Sequence, residues 1–392
     1  MLKTSLADWP SFTNEEADAV RDVILSNRVN YWTGQEGKAF ETEYAAWVQT
    51  NYAIALSNGT LALDLALKGL DIGPGDEVVV TPRTFIASVS CVVTAGATPV
   101  FADVDPDSGN LSAATIAPRL TDKTRAIIPV HIAGWPCEMG AIMDLAESRN
   151  IVVIEDCAQA HGAQIDNKMV GSIGHVGAWS FCQDKIITTG GEGGMVTTND
   201  PETWSKMWSY KDHGKSWEAV YNRQHPLGFR WLHESIGTNW RMLEVQAAIG
   251  RIQLQKISTW TKRRTAIATS IAETLQRFPD AIRVPLPRQG VTHAFYRLYA
   301  YVKPQGLKAG WDRDRIIAEV SERGMPIFQG TCSEVYLEKA FENTPWRPSQ
   351  RLPNARQLGE TSLMFLTHPT IGGAEIDRIC ETVGKVLAEA SR

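Results

Sequence analysis

Short apolar runs alternate with stretches of helical periodicity between about residues 14 and 250 of the chain. The runs are rich in β-branched residues, and strands that are apolar throughout are typical of a parallel sheet covered by helices on both faces. The alternation therefore predicts an α/β fold with a mostly parallel central sheet. The strands are expected at residues 53–57, 77–81, 99–102, 126–130 and 151–154, and the helices at 15–26, 39–50 and 60–69.

A second, smaller domain is expected because 392 residues exceed what one hydrophobic core usually serves. The large domain is predicted to span residues 1–255 and a small α+β domain residues 256–392, with a long helix at 242–261 linking them. Residues 211–236 are polar and aromatic, which predicts a long irregular loop, and loops of that length are often functional. Further helices are expected at 265–276, 312–323 and 374–390, and a strand at 295–302.

Charge and hydropathy exclude two classes of partner. The net charge of -5 argues against nucleic acid, since binding a phosphate backbone needs a basic face. No run approaches the roughly 20 apolar residues of a membrane span, and the first residues lack the apolar core of a signal peptide. The six cysteines are scattered without metal-ligand spacing, which predicts free thiols and no metal site. We therefore expect a cytoplasmic enzyme that acts on small molecules.

Two predicted strands are followed by groups that could receive an anionic aromatic ligand. The strand at 53–57 runs into SNGT, and a helix that starts at Gly59 and Thr60 would offer free N–H groups, a hydroxyl and the positive end of its dipole to a phosphate. A simple helix cap explains the same residues. Phe85 follows the strand at 77–81, where it could stack on a flat ring or pack in the core.

An acidic and a basic residue follow two later strands. Asp156 comes just after the strand at 151–154, where a buried carboxylate needs a positive partner such as a protonated pyridine nitrogen, although a salt bridge or a helix cap would also serve. Lys185 comes shortly before glycines 190, 191, 193 and 194. A lysine in a desolvated site beside a cationic ring loses proton affinity and becomes a usable nucleophile, whereas alone it would be a surface lysine near a turn.

This ordered set resembles the DegT/DnrJ/EryC1/StrS family of sugar aminotransferases, which are pyridoxal-phosphate enzymes of fold type I. The resemblance covers nearly the whole chain and is carried by SNGT, PRTFIAS, PVFADVDPDSGNL, AIIPVHIAGWPCEM, VIEDCAQAHGA, WSFCQDK, TTGGEGGMVTTND, GTNWRMLEVQAAIGRIQLQK and LTHPTI. Two stretches depart from the family pattern. TTGGEGG carries one glycine more than the usual TTGEGG, and residues 326–341 differ from the commoner histidine- and tyrosine-rich version that helps form the sugar-nucleotide pocket.

The resemblance implies a role for each matching residue. Lys185 would form the Schiff base with pyridoxal phosphate and shuttle the proton, Asp156 would pair with the pyridine nitrogen, and Gln159 would hydrogen-bond the ring hydroxyl. Phe85 would stack on the ring, and the phosphate would be bound by Gly59, Thr60 and Ser180. Asn239 would reach the phosphate from the neighbouring subunit, which implies a homodimer with shared active sites.

The implied reaction moves an amino group from an amino acid, usually L-glutamate, to a keto group of a nucleotide-linked sugar for surface-polysaccharide or antibiotic biosynthesis. A dehydratase of the same family uses pyridoxamine phosphate and carries histidine where this chain has Lys185; a regulatory protein without turnover is the other alternative. Other candidates are weaker. Arg223 and Arg230 could meet a diphosphate, the sugar pocket could include His131, His293 and His368, and no compact ligand spacing supports metal binding by His213, His225 and His233.

Overall fold

The computed structural model describes residues 6–392, and its centre is a mixed sheet of seven strands. The strands, in chain order, are β1 (Tyr52–Leu56), β2 (Glu77–Val80), β3 (Thr98–Phe101), β4 (Thr124–Ile128), β5 (Val152–Asp156), β8 (Val176–Ser180) and β9 (Gly194–Thr198). Their order in the sheet is β1-β9-β8-β5-β4-β2-β3. Only β9 runs antiparallel to its neighbours in this sheet, which confirms the mostly parallel arrangement. The predicted strand positions are correct to within two residues.

Helices cover this sheet because its strands are apolar on both faces, with β2, β4 and β5 buried along nearly their whole length. The helices of this part are α1 (Asn14–Leu25), α2 (Glu36–Val48), α3 (Gly59–Gly69), α4 (Ala87–Thr94), α5 (Ala113–Ile116), α6 (Met139–Glu147), α7 (Pro201–Lys211) and α8 (Trp217–Tyr221). Helices α3 and α7 and the sheet share a core that contains Leu65, Val80 and Trp208. The crossovers bring the carboxyl ends of the parallel strands to one edge.

A second sheet near the end of the chain has four strands, which are β10 (Ile282–Arg283), β12 (Arg297–Val302), β13 (Ile327–Phe328) and β14 (Ser362–Leu366). Their order in the sheet is β10-β12-β14-β13, and all the pairs are antiparallel. It packs with α10 (Arg313–Glu322), α11 (Pro353–Thr361) and α12 (Gly373–Ala390). A third sheet joins two short strands of the first part, β6 (Gln164–Ile165) and β7 (Lys168–Met169), to β11 (Val291–Thr292).

The long connecting helix differs from its prediction. Two helices were expected at 242–261 and 265–276, and the structure has one, α9 (Glu244–Leu275), of 32 residues. Its buried side chains include Ala247 and Ile257 in the core below the large sheet, then Ile267 and Ile271 in the core of the second sheet. The apolar face of the helix packs first against one core and then against the other. The sequence periodicity is interrupted between them, which is why two helices were predicted. The domain boundary at 255 and 256 falls inside this helix and stays a prediction.

Across residues 6–392, no helix combines the length and the apolar character that crossing a membrane requires. All six cysteines are free, as predicted, although only Cys91, Cys137 and Cys157 are buried.

Candidate active site

A cavity of about 770 Å³ lies at the carboxyl ends of the parallel strands, the edge where ligands bind in open α/β sheets. The large sheet forms one side, and β12, β14 and residues 330–331 form the other. The predicted site residues that line it are Gly59, Thr60, Phe85, Asp156, Gln159, Ser180 and Lys185. The structure therefore brings seven of the eight predicted residues together in one cavity. The eighth, Asn239, lies outside the lining.

Lys185 stands in the loop after β8, and its backbone N–H donates to Cys182 O at 3.1 Å. Its Nζ lies 4.0 Å from a carboxylate oxygen of Asp184 and 5.2 Å from the centroid of the Tyr296 ring. Burial lowers the pKa of Lys185, but Tyr296, Asp184 and Asp156 outweigh burial, so the pKa is raised above its usual value. The predicted loss of proton affinity therefore requires a cation in the cavity, because the protein's own groups act in the opposite direction.

Asp156 ends β5 and is 4% exposed. One carboxylate oxygen accepts from Ser88 Oγ at 2.7 Å, and the other accepts the Ala158 N–H at 3.1 Å. Burial raises the pKa of this carboxyl, and these hydrogen bonds and the charge of Lys185 offset only part of the effect. A buried carboxylate of this kind is stabilised by a positively charged ligand in the cavity.

Helix α3 begins at the cavity and presents its N-terminus to it. Asn58 caps the helix, with its side-chain oxygen accepting the Leu61 N–H at 3.0 Å. A Cβ at position 59 would lie 2.5 Å from Ser180 Cβ, so only glycine allows the helix end to approach β8 this closely. The two interpretations of SNGT, a helix cap and an anion site, are therefore compatible. Asn58 provides the cap, and Gly59 and Thr60 remain at the positive N-terminal end of the helix dipole.

An aromatic ring and an amide complete the lining. Phe85 follows β2 and is 66% exposed, so it does not pack in the core, and it lines the cavity. Gln159 Oε1 accepts the Ala133 N–H at 2.8 Å, which leaves the amide nitrogen of Gln159 as the donor for a ligand.

These groups fit pyridoxal phosphate. The helix end and Ser180 suit its phosphate, Phe85 its flat ring, Asp156 its ring nitrogen and Lys185 its aldehyde carbon. The strongest indication is the carboxyl of Asp156, because burial raises its pKa and no cationic side chain forms an ion pair with it among residues 6–392.

The glycines after Lys185 serve two purposes. Gly190 and Gly191 have φ angles of +87° and +126°, which favour glycine. Gly193 instead permits close approach, since a Cβ there would lie 2.0 Å from Thr189 Oγ1. The glycine beyond the usual TTGEGG pattern is thus accommodated in a turn of positive φ, next to the Lys185 loop.

Asn239 is exposed and pairs with Asp212 in an isolated antiparallel bridge. It follows the segment 211–236, which is mostly irregular, as predicted. The end of α7 and the short helix α8 are the helical parts of this segment. In this segment Arg223 forms an exposed ion pair with Glu234 at 2.6 Å. Trp240, the neighbour of Asn239, accepts the Ser57 N–H at 3.1 Å, but Asn239 itself does not line the cavity.

The three histidines suggested for the sugar pocket do not line the cavity. His131 is fully buried, with Nε2 3.0 Å from Glu155 and Nδ1 accepting the Cys137 N–H. His293 Nδ1 accepts the Phe295 N–H, and His368 stacks on Trp9. Burial lowers the pKa of His293 to about 3, so it stays neutral at pH 7. The sequence alone does not show whether a histidine side chain at these positions faces the cavity or the core.

The lining residues that sequence reasoning missed include Asp184, Ser88, Tyr296 and Arg297. Asp184 and Ser88 are close to predicted residues in the sequence, and the neighbouring motifs could have indicated them. Tyr296 and Arg297 come from β12 and the residue before it, more than 100 residues after Lys185, and carry no motif. Gly330 and Thr331 belong to the stretch 326–341 that departs from the family pattern, so that departure lies on the cavity wall.

A mostly parallel seven-stranded sheet, with Asp156 and Lys185 after adjacent strands, defines a pyridoxal-phosphate enzyme of fold type I. The chain belongs to the DegT/DnrJ/EryC1/StrS aminotransferase family, whose family model matches residues 10–384.

Its relatives span nearly its full length. It is 38% identical over 374 residues to the UDP-N-acetyl-3-dehydro-alpha-D-glucosamine 3-aminotransferase of Acidithiobacillus ferrooxidans, covering 94% of this chain and 95% of that protein. It is 35% identical over 374 residues to the GDP-perosamine synthase of Caulobacter vibrioides, with the same two coverages. The X-ray structure of the aminotransferase from Psychrobacter cryohalolentis is similar at a TM-score of 0.97 and 60% identity, covering 98% of this chain and 99% of that one.

Proposed function

We propose that this chain transfers an amino group from an α-amino acid, L-glutamate, to a keto group of a nucleotide-linked sugar, in a cytoplasmic homodimer. The observation that carries the proposal is the pairing of Lys185 with Asp156 in one cavity. Two relatives are named for a UDP-linked and a GDP-linked sugar substrate or product, which supports this substrate class without selecting the nucleotide. A cavity of about 770 Å³ is large enough for a cofactor together with a sugar.

Pyridoxal phosphate, when bound, supplies a carbonyl carbon for the amino group and a cationic ring that accepts electron density. The Asp156 carboxylate would keep a proton on the ring nitrogen, and the Gln159 amide would donate to the ring hydroxyl. Phe85 would lie against the ring. The phosphate would be held by the helix end at Gly59 and Thr60 and by Ser180 Oγ.

Lys185 has two tasks in this proposal. It would hold the cofactor through Nζ between turnovers, and the same nitrogen would take up and return the proton at the reacting carbon of the substrate. Within residues 6–392 no carboxylate lies closer than 4.0 Å to Nζ, so the amine is not locked in a tight ion pair and can carry out both tasks. A histidine could carry the proton but could not hold the cofactor covalently in this way, so Lys185 favours amination over dehydration.

Absorbance and product mass test this function together. The purified protein with pyridoxal phosphate should show the visible band of a lysine-bound cofactor, and L-glutamate should remove that band. Addition of a nucleotide keto-sugar should then restore the band and yield an amino-sugar, detected by mass. A product that has lost a hydroxyl would indicate the dehydratase, and a band that glutamate does not change would indicate a regulatory protein.

Arg297 is the residue that we assign to the carboxylate of the amino-acid donor. Its guanidinium carbon lies 4.1 Å from the centroid of the Tyr296 ring, the ring that Lys185 Nζ also approaches. Its Nη2 lies 3.7 Å from Asp184, which is too long for a strong ion pair. The α-carboxylate is one bond from the reacting carbon, whereas a diphosphate lies across the sugar ring from it. The closeness of Arg297 to Lys185 therefore favours the carboxylate.

Arg297→Gln is expected to raise the KM for L-glutamate about 10- to 100-fold, because it removes a charge-assisted, two-pronged hydrogen bond. The KM for the keto-sugar should change less than about twofold. Steady-state kinetics with each substrate varied separately measures both. Arg283→Gln is the matched control, since Arg283 stacks on Tyr301 at 4.6 Å outside the cavity lining. Equal increases in both KM values would exclude Arg297 as the carboxylate site.

The proposed homodimer is supported by an exposed apolar strip beside Asn239. The strip consists of the large apolar side chains of residues 227–243 that are exposed to solvent: Leu227, Phe229, Trp231, Ile236 and Leu243. A soluble chain rarely leaves such a strip in water, and a second copy of the chain is the partner that fits an implied shared site. We propose that Asn239, on the same segment, reaches the second copy's cavity.

Mixing two inactive variants tests the shared site. Asn239→Asp puts a negative charge beside the phosphate, and Lys185→Ala removes the amine, so each homodimer should be inactive. A mixed dimer would contain one site with both wild-type residues, which predicts recovery of about one quarter of the wild-type activity after random exchange of subunits. Activity equal to the sum of the separate variants would show that Asn239 acts within its own subunit or not at all.

A further inference from the structure

Trp9 connects the start of the described chain to the loop of Lys185. Its indole Nε1 donates to the backbone oxygen of Lys185 at 2.9 Å, across 176 positions in the sequence. Trp260 packs edge-on against its ring at 5.1 Å, His368 stacks nearly parallel to it at 6.3 Å, and the Arg264 guanidinium carbon lies 5.1 Å from it. The position of the indole is therefore fixed from several sides.

The residues just before Trp9 are fastened to the second part of the chain. Leu6 is 5% exposed in the core of the second sheet, and the Ala7 N–H donates to Glu375 at 2.8 Å. Asp8 O accepts from Thr370 Oγ1 at 3.0 Å, and this hydroxyl also lies 2.7 Å from His368 Nδ1. The LTHPTI stretch, which lies outside the cavity lining, thus holds the segment that carries Trp9.

The bond from Trp9 restricts the geometry of the catalytic lysine. The N–H of Lys185 is already held by Cys182 O, and Trp9 holds its carbonyl. When both backbone groups of a residue are fixed, its φ and ψ angles and hence the direction of its Cα–Cβ bond are fixed as well. The amine can then move only by rotation within the side chain. A displacement of the reacting nitrogen by about 1 Å is enough to lower a rate up to a hundredfold.

We propose that Trp9 is a positioning residue for Lys185 and that, through Trp9, residues 366–371 set the position of the amine in the cavity. The claim rests on the proposed role of Lys185, but the bond itself does not depend on that role. His368 contributes as a neutral ring, because burial, Arg264 and Arg297 lower the pKa of His368 to about 4. Its stacking on Trp9 is therefore unchanged across the pH range of an assay.

The test compares Trp9→Phe with Trp260→Phe in the full-length protein loaded with pyridoxal phosphate. Both variants shrink the same aromatic cluster, but only the first removes the donor to Lys185 O. Trp9→Phe should lower kcat about 10- to 100-fold with KM values within about twofold, and should shift the pH at which the visible band of the cofactor changes. Trp260→Phe should leave kcat and the pH of the band near wild type.

Hydrogen exchange supplies a measurement that needs no turnover. The peptide covering residues 183–189 should exchange faster in Trp9→Phe, with or without cofactor, and at the wild-type rate in Trp260→Phe. If both variants change exchange, kcat and the band alike, or neither changes them, Trp9 is a packing residue and the proposal is wrong. If the wild type shows no band from Lys185, the proposed function fails, while the exchange rates still decide whether Trp9 positions the loop.

A second variant applies if Trp9→Phe does not fold. Thr370→Val keeps the shape of the side chain but removes the donor to Asp8 O. It should produce the same shift of the cofactor band and the same faster exchange at 183–189, with a smaller decrease in kcat. Wild-type exchange at 183–189 in a folded Thr370→Val protein would overturn the connection to residues 366–371.

Discussion

Replacing Lys185 by alanine is expected to abolish the visible band of the bound cofactor and to lower the rate of amino-group transfer at least about a thousandfold. The reason is that in the proposed function one nitrogen performs two tasks, covalent attachment and proton transfer, and no other amine lines the cavity among residues 6–392. Stopped-flow absorbance with L-glutamate measures the first half of the reaction directly. Binding of the phosphate should survive, since Gly59, Thr60 and Ser180 are unchanged.

Two controls separate chemistry from misfolding in Lys185→Ala. Lys206→Ala removes an exposed lysine that pairs only with Asp71 and Glu202, so it should retain full activity. A small primary amine added to Lys185→Ala should restore part of the proton transfer, which a misfolded protein could not do. If Lys185→Ala keeps both the visible band and transamination, another residue carries the chemistry.

The sequence predicted residues that line one cavity because these residues follow the strand ends in order. Strands 77–81 and 151–154 were recognisable from apolar β-branched runs, and in a parallel sheet their carboxyl ends must meet at one edge. This rule alone predicts that Phe85 and Asp156 lie at the same edge of the sheet. Local patterns and a topological rule were enough for this half of the cavity.

The other half depends on packing between distant parts of the chain. Tyr296 and Arg297 reach the cavity because α9 carries the second sheet back over the strand ends, and no local pattern reports where a 32-residue helix will point. The histidines show a related limit. A residue near the end of a strand can face the ligand or the core, and His131 faces Glu155 in the core. Burial of a polar residue is decided by its partner, which lies elsewhere in the sequence.

The N-terminal segment shows the same limit. Trp9 lies 176 positions from Lys185, and only the fold places the indole beside that carbonyl. Residues 366–371 were recognised as part of the family pattern, yet their contact with Asp8 and Trp9 gives them a physical task that the pattern did not state.

Asp156→Asn is the second change with a large expected effect, and its two consequences have opposite signs. The charge proposed to keep the ring nitrogen protonated is lost, and removing one partner of a buried ion pair costs about 3–5 kcal/mol, which corresponds to a decrease in kcat of about a hundredfold to a few thousandfold. Asparagine has nearly the same shape and can still accept the Ala158 N–H and bond Ser88 Oγ. The loss should therefore come from charge and not from a change in the cavity.

The cofactor-free protein should respond in the other direction. Burial raises the folded-state pKa of Asp156, so the charged carboxylate destabilises the folded state as pH rises through that pKa, and it is charged at pH 7 in the unfolded chain. A neutral asparagine removes this penalty, and thermal unfolding without cofactor should show a Tm equal to or above that of wild type at pH 7. Ser88→Ala is the graded control, because it removes one hydrogen bond but keeps the charge, and it should lower kcat less than about tenfold. A lower Tm of Asp156→Asn without cofactor would mean that the charged Asp156 stabilises the fold. An unchanged kcat would mean that Asp156 does not hold a cationic ring.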